Sequence, residues 1–433
     1  MTTPATGWRA LVLRKPVVAW ALYDCGNSAF ATSVMVGFFP LFFNEYWSVD
    51  ATGAETTTRL MLVNGIASLL LALSAPILGA IADRGGLRKL LLTVFALIGA
   101  ATTAWLYWVP QGAWQQAAFV FGVASTGFAA ANIFYDSMLM DVTTENRFDQ
   151  VSAFGFSVGY VGGGILFAVH LLMILEPGWF GLPDIQTAVR VAFLTVAVWW
   201  LVFTGPVLSV VHEHKPAVRP RLRSAVSMGF TQLKETFRHI RQLRPALLFL
   251  IAYWLYIDGV NTVMKVAVDF GYKIGVGQTD LMIALLVVQF VSFPAALLFG
   301  WLGERIGAKR GLLIGLAIYV IVTSWAAFMD TVAEFYAMAC LVGLAQGGVQ
   351  SLSRSYFARL IPPDKPAEFF GFYNMIGKFA AVLGPFFVAF AAATTGNARS
   401  AVAAVLPLLV VGALVLMRVP EFDHNEGPAS ARP

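Results

Sequence analysis

The sequence predicts an all-α membrane protein of twelve transmembrane helices, arranged as two parallel six-helix pseudo-repeats. Three observations carry this expectation. Apolar runs of about 20 residues, the length that crosses a bilayer, recur along the whole chain. Only 12% of the 433 residues are charged and 58% are hydrophobic, with a mean hydropathy of +0.73, where a soluble protein is about 25% charged. Two polar loop motifs also repeat in register. "GAIADRGGLRK" (Gly79 to Lys89) and "GWLGERIGAKR" (Gly300 to Arg310) both read G-x-x-x-acid-R-x-G-x-basic-basic.

The spans fall near 17–43, 60–82, 90–109, 115–141, 151–175 and 188–210 in the first half. In the second half they fall near 245–270, 279–303, 311–329, 334–361, 368–392 and 400–419. The first run is too long for a cleavable signal peptide and has no small-residue cleavage site. Three domains are expected: 1–210 as the first half, 211–244 as a linker, and 245–433 as the second half with a short tail. The linker is basic, with Val226, Phe230, Leu233, Phe237 and Ile240 on one helical face, as in a helix lying on the inner leaflet. Of the 29 Lys and Arg residues, only Arg59, Arg190, Lys265, Lys273 and Arg399 fall outside, and Lys378 falls within a span. The rest lie on one side, which predicts both termini in the cytoplasm. The net charge of +5 therefore reads as topology and gives no nucleic-acid footprint. Cys25 and Cys340 lie in spans, with neither disulfide nor metal spacing. No cofactor is expected, and the partners are the lipid bilayer, a small solute and protons.

A second repeat concerns polar residues inside spans. "LYDCGNS" (Leu22 to Ser28) matches "LYIDGVNT" (Leu255 to Thr262) once Ile257 is skipped, so Asp24 and Asn27 correspond to Asp258 and Asn261. Asp24 lies about 10 Å into its helix at 1.5 Å per residue. A charge at that depth is costly unless it meets a partner or water. Two readings stand: solute or proton handling on a wet central cavity, with Tyr23 and Tyr256 beside the acids, or a buried polar clamp. A low dielectric suits reversible protonation. Helix 4 carries "NIFYDSMLMD", with Asn132, Tyr135 and Asp136 in one stretch. Asp136 aligns with Arg354, as for a charge-paired gate, and Asp141 aligns with Arg359. Helix 5 has glycines at 155, 159, 162, 163 and 164, which allow close approach. Lys378 near a midplane reads as a group for a solute carboxylate or an aspartate. Gln346 and Asn374 are further cavity candidates, with Gln289 and Gln350. His170 reads as an interfacial residue.

The two loops resemble the signature loop of the major facilitator superfamily. That resemblance implies that Asp83 faces helix 11 and Glu304 faces helix 5, closing the cytoplasmic side. Arg84 and Arg305, next to those acids, and Arg354, opposite Asp136 in the repeat, are expected in the same gate. "WALYDCGNSAF", "FYDSML", "GYVGGG" and "YWLYIDGVNT" resemble the vacuole-effluxer-like family of that superfamily. The resemblance spans nearly the whole chain and implies a monomeric inner-membrane secondary transporter of amino acids or similar small polar solutes. A cation-coupled sugar symporter is the alternative, although Asn64 and Ser74 are the only polar candidates for its second acidic pair. A non-transporting sensor would carry a long soluble domain. An intramembrane aspartyl protease would need a partner for Tyr23-Asp24 closer than "GVGQTD" (Gly275 to Asp280). No nucleotide-binding loop is present.

Overall fold

A computed structural model describes residues 8–213, 243–273, 275–380, 383–395 and 398–421. Every regular element among them is helical. Eleven helices are long and apolar enough to cross a membrane, and a shorter apolar helix follows. We label them α1 (Lys15–Trp47), α2 (Thr58–Gly85), α3 (Arg88–Trp105), α4 (Trp114–Ser137), α5 (Phe148–Leu175) and α6 (Ile185–Val210). The second repeat gives α7 (Arg244–Lys273), α8 (Gln278–Ile306), α9 (Ala308–Ala326), α10 (Val332–Leu360), α11 (Pro366–Thr395) and α12 (Leu406–Met417).

Local chemistry sets the helix ends. A capping box of Thr52 and Glu55 starts the helix that becomes α2, and Thr331 with Glu334 does the same for α10. Asp184 caps α6 by accepting from Thr187 N–H at 2.7 Å. Gly86 (φ 57°) and Gly307 (φ 91°) take the turns after α2 and α8, in the left-handed region that glycine reaches without a Cβ clash. The acids of both loop motifs thus remain on the last turns of their helices.

The eleventh span, expected at 368–392, runs over Pro366–Thr395, with helical pieces described at Pro366–Phe379 and Leu383–Thr395. Two expectations need revision. The twelfth is split into Ala398–Ala403 and Leu406–Met417, with Pro407 near the start of the second piece. α1 widens into π turns over Phe30–Phe38, a feature that periodicity alone does not register. The amphipathic helix expected at 226–240 lies outside the described residues.

The chain packs as two compact units. Unit 1 is Met1–Val142, Val158–Thr231 and Asp364–Lys378, and unit 2 is Thr143–Ser157, Gln232–Pro363 and Phe379–Pro433. The start of α5 therefore belongs with the second repeat's helices, and the start of α11 with the first repeat's. Glycine explains both placements. A Cβ at Gly79 of α2 would run into the Ala367 carbonyl, and one at Gly371 would sit 2.6 Å from the Ala75 oxygen. In unit 2, a Cβ at Gly300 of α8 would strike Ala153, and one at Gly303 would sit 3.2 Å from Asp149. The first glycine of each loop motif is thus the seat for a crossing helix.

Candidate functional site

In unit 1 the expected polar residues of α1, α4 and α11 come together. Asn27 Nδ2 donates to Asn132 Oδ1 at 2.5 Å, joining α1 to α4. Asn374 Nδ2 of α11 donates to Asp136 Oδ2 of α4 at 3.3 Å. Ser28 Oγ donates to Asp24 Oδ1 at 3.3 Å, one helical turn away. The Tyr23 phenol lies within electrostatic reach of both Asp24 and Asp136 and beside the Asn27 side chain. Tyr135 stacks on Trp20 at 4.6 Å between centroids, and the Trp20 Nε1 donates to the Tyr135 carbonyl at 2.9 Å. These rings fix the α1–α4 contact from which the asparagines and aspartates project. Asp24, Asn27 and Asp136 are buried, whereas Ser28, Asn132 and Asn374 are half-buried, so the cluster has an open side. Lys378, one turn beyond Asn374, is half-buried in the last turn of the first α11 piece.

The α5 glycines seat α1 here. A Cβ at Gly159 would lie 2.8 Å from Ser28 Oγ and 3.0 Å from Asp24 Cγ, and one at Gly162 would overlap Cys25 Sγ. Trp199 Nε1 of α6 donates to the Cys25 carbonyl at 3.0 Å.

Asp258 behaves differently. It is fully buried in unit 2, where the sequence placed it on a wet cavity wall. Its Oδ2 accepts from Leu383 N–H at 2.9 Å and its Oδ1 from Gly384 N–H at 3.0 Å. It therefore caps the second piece of α11, accepting from two amides at the N-terminus of Leu383–Thr395. Thr262 Oγ1 adds a bond to the same oxygen at 3.4 Å. Of its expected companions, Tyr256 bonds Ser353 through its hydroxyl at 2.7 Å, and Asn261 is half-buried on α7. The Gln346 Oε1 on α10 is buried without a hydrogen-bond partner among the described residues.

The loop acids meet the helices expected of them. Asp83 accepts from the backbone N–H groups of Ala367 (3.2 Å) and Glu368 (2.8 Å), at the start of α11. These are orphan donors of a helix N-terminus, where a negative charge is stabilised. Glu304 instead meets side chains: Arg147 at 3.3 Å, and the Gln150 amide, both at the start of α5. Asp136 and Arg354, expected as a charge pair, each have a partner in their own unit. Arg354 donates to Ser152 Oγ and O, both at 2.9 Å, and lies over the Phe156 ring. Arg305 is exposed and covers Trp301 of its own helix, 4.2 Å from the ring centroid. Arg84 is half-buried, and Arg88 Nε lies 3.9 Å from Asp83 Oδ1. His170 is not interfacial: it is fully buried and bridges Ser33 of α1 (3.1 Å) to Thr195 of α6 (2.7 Å).

Sequence reasoning missed Asp149. Its carboxylate is fully buried, takes both Nη groups of Arg359 at 2.7 and 2.9 Å, and accepts from Ser355 Oγ at 2.5 Å. A signal was available: "AFGFS" at 153–157 and "FFGFY" at 369–373 repeat the first turns of α5 and α11.

Comparisons with known proteins extend this description. Residues 51–424 match the family described as vacuole effluxer Atg22 like. The chain is 39% identical to the uncharacterized MFS-type transporter YxiO of Bacillus subtilis, over 94% of this chain and 95% of that protein. It is 22% identical to Autophagy-related protein 22 of Saccharomyces cerevisiae, over 92% of this chain and 90% of that protein. Among solved structures it resembles the human organic anion transporter MFSD10, with TM-score 0.69 and 16% identity, covering 93% of this chain and 99% of that one. It also resembles the proton:xylose symporter XylE, with TM-score 0.70 and 13% identity, covering 96% and 97%. At these identities the structural likenesses show the fold alone, and that fold is the major facilitator fold.

Proposed function

Because the chain belongs to the vacuole effluxer Atg22-like family of major facilitator superfamily transporters, a family of carriers and not of enzymes, we propose that it is a proton-coupled carrier of small polar solutes, amino acids foremost. It works by alternating access, as a monomer, in the inner membrane with both termini cytoplasmic. The observation that supports the reading best is the unit 1 cluster of Asp24, Asn27, Asn132, Asp136 and Asn374, which gathers two carboxylates and three amides inside apolar spans. Intramembrane polar groups of this density mark solute and proton pathways. An amino acid's ammonium would meet Asp136 or Asp24, its carboxylate would meet Lys378, and the asparagines would hold its orientation. Protonation of one aspartate would weaken its hold on the ammonium and couple release to the conformational switch. The loop contacts of Asp83 and Glu304 would close the cytoplasmic side.

Proteoliposome uptake with a panel of labelled amino acids and a sugar, measured across pH with and without a proton gradient, tests substrate and coupling together. Uptake of an amino acid that a gradient drives is expected. Gradient-independent uptake of the sugar alone would overturn both. For orientation, a phosphatase that works only in the periplasm, fused after residue 220, is expected to be inactive, and activity would overturn the cytoplasmic placement of 211–244.

A further inference from the structure

The α1 helix changes its winding beside the unit 1 cluster. Asp24, Asn27 and Ser28 lie on regular α turns, and π turns follow over Phe30–Phe38. Pro40 supplies a cause. It has no N–H for the Val36 carbonyl, and its ring would press on that carbonyl in an α turn. The turn before it widens instead, and Phe39 N–H donates to Val34 O, five residues back. Rings fix the part of α1 from Phe39 onward: Phe39 stacks on Phe121 of α4 at 3.7 Å, and Trp47 Nε1 donates to the Val109 carbonyl at 3.3 Å. The π turns therefore join a half that carries the cluster to a half held by aromatic packing.

One polar node grips those turns. His170 of α5 is fully buried between Ser33, in the middle of the π turns, and Thr195 of α6. Hydrogen accounting fixes its tautomer. The Thr195 hydroxyl donates to the Val191 and Ala192 carbonyls of its own helix, at 3.1 and 3.0 Å, so its oxygen accepts from His170 Nε2–H. Nδ1 then accepts from Ser33 Oγ, and the neutral imidazole satisfies every hydrogen of the node. One face of α5 runs from the cluster to this node, through Gly159, Gly163, Phe167 and His170. A Cβ at Gly163 would lie 3.2 Å from both Ser28 O and Thr32 Oγ1, and one at Gly37 would lie 2.8 Å from the Phe167 ring.

We propose that His170 and Ser33 are positioning residues for the unit 1 cluster. Their bond holds α1 in its π register, and that register sets which α1 side chains meet Asn132 and Asp136 of α4. A return to α winding would shift one half of α1 by one residue against the other, a rotation of about 100°. Asp24 and Asn27 would then turn away from α4. Both halves are closely packed, so the register is a choice between discrete states that one buried bond can bias. The proposal rests on reading the cluster as the solute site.

Hydrogen exchange in nanodiscs and uptake in proteoliposomes, both on the full chain, test this. Ser33→Ala removes the hydroxyl. His170→Gln carries its amide to the Nε2 position, keeping Thr195 and losing Ser33, whereas His170→Asn presents an oxygen at the Nδ1 position and keeps Ser33. Exchange of the amides of 31–39 is expected to rise about tenfold in Ser33→Ala and His170→Gln, the scale of one buried hydrogen bond, and to stay near wild type in His170→Asn. The KM of uptake, for the amino acid that the wild type carries best, should follow the same order. Pro40→Ala restores the missing N–H, favours α winding, and should raise KM without lowering the thermal melt. If exchange rises while KM stays at the wild-type value, the node is a structural bond only and the inference falls alone. It also falls alone if Ser33→Ala leaves exchange at 31–39 unchanged, or if His170→Asn behaves as His170→Gln does. If the wild type takes up none of the panel, the carrier reading fails and the inference falls with it. Should His170→Gln not fold, Ser33→Ala and Pro40→Ala decide, and a wild-type KM in both overturns the proposal.

Discussion

Asp24 and Asp258 hold matching places in the two repeats, yet their surroundings differ. Asp24 sits on the α1 face seated by Gly159 and accepts from the Ser28 hydroxyl, beside half-buried asparagines. Asp258 is fully buried, and two of its bonds go to the main-chain amides of Leu383 and Gly384. A hydroxyl can rotate and return a proton's worth of bonding, whereas a main-chain amide can only donate. Protonating Asp258 would set an O–H against fixed donors in a closed site, and protonating Asp24 need not. A repeat that duplicates an acid thus leaves its surroundings to the neighbours, and we propose that the two readings offered by the sequence divide between the two copies.

Several substitutions sharpen or break that contrast. The largest effect on folding belongs to Asp258→Ala, which strands buried amides and should cost about 3 kcal/mol. A detergent-solubilised thermal melt would register this as a drop of several degrees, and an unchanged melt would return Asp258 to the solute pathway. Asp24→Leu should leave the melt near wild type while uptake falls at least about 100-fold at every pH, on the scale of a lost charged contact in a closed site. Asp24→Asn should keep the fold and flatten the pH profile of uptake. A full wild-type profile in that variant would make Asp24 a clamp and pass the proton to Asp136. Glycine substitutions probe the same pair more gently. Gly384→Ala would place a methyl against Thr262 Oγ1 and 2.8 Å from Asp258 Oδ1. It should cost about 1–3 kcal/mol, as overpacking does. Gly159→Ala meets first the Ser28 hydroxyl, which can turn away, and should cost less on the same melt. Asn27→Ala should be the smallest in stability, about 1 kcal/mol for one hydrogen bond, with its loss visible mainly in the KM of uptake.

Legibility in the sequence followed the range of the forces involved. The spans were readable because burial in lipid demands long apolar runs. The loop motifs were readable because glycine seats and helix-end acids recur in register, and Asp83 and Glu304 meet the helices that the resemblance named. The cap that Asp258 gives to α11 was not readable, since the acid lies 125 positions from the amide it accepts from. His170 misled for a similar reason: its position near a helix end suggested an interface, while its partners Ser33 and Thr195 are supplied by other helices.

The contact of Asp83 with α11 has an evolutionary corollary. The Asp83 oxygens accept from main-chain N–H groups, which every residue but proline supplies at the beginning of a helix. Proline at 367 or 368 would remove one of these donors. The Glu304 contact reads Arg147 and Gln150 by their side chains and must change in step with them. Chimeras that exchange the first turns of α11 between distant relatives should therefore remain compatible, whereas exchanges of the first turns of α5 should require a matched α8.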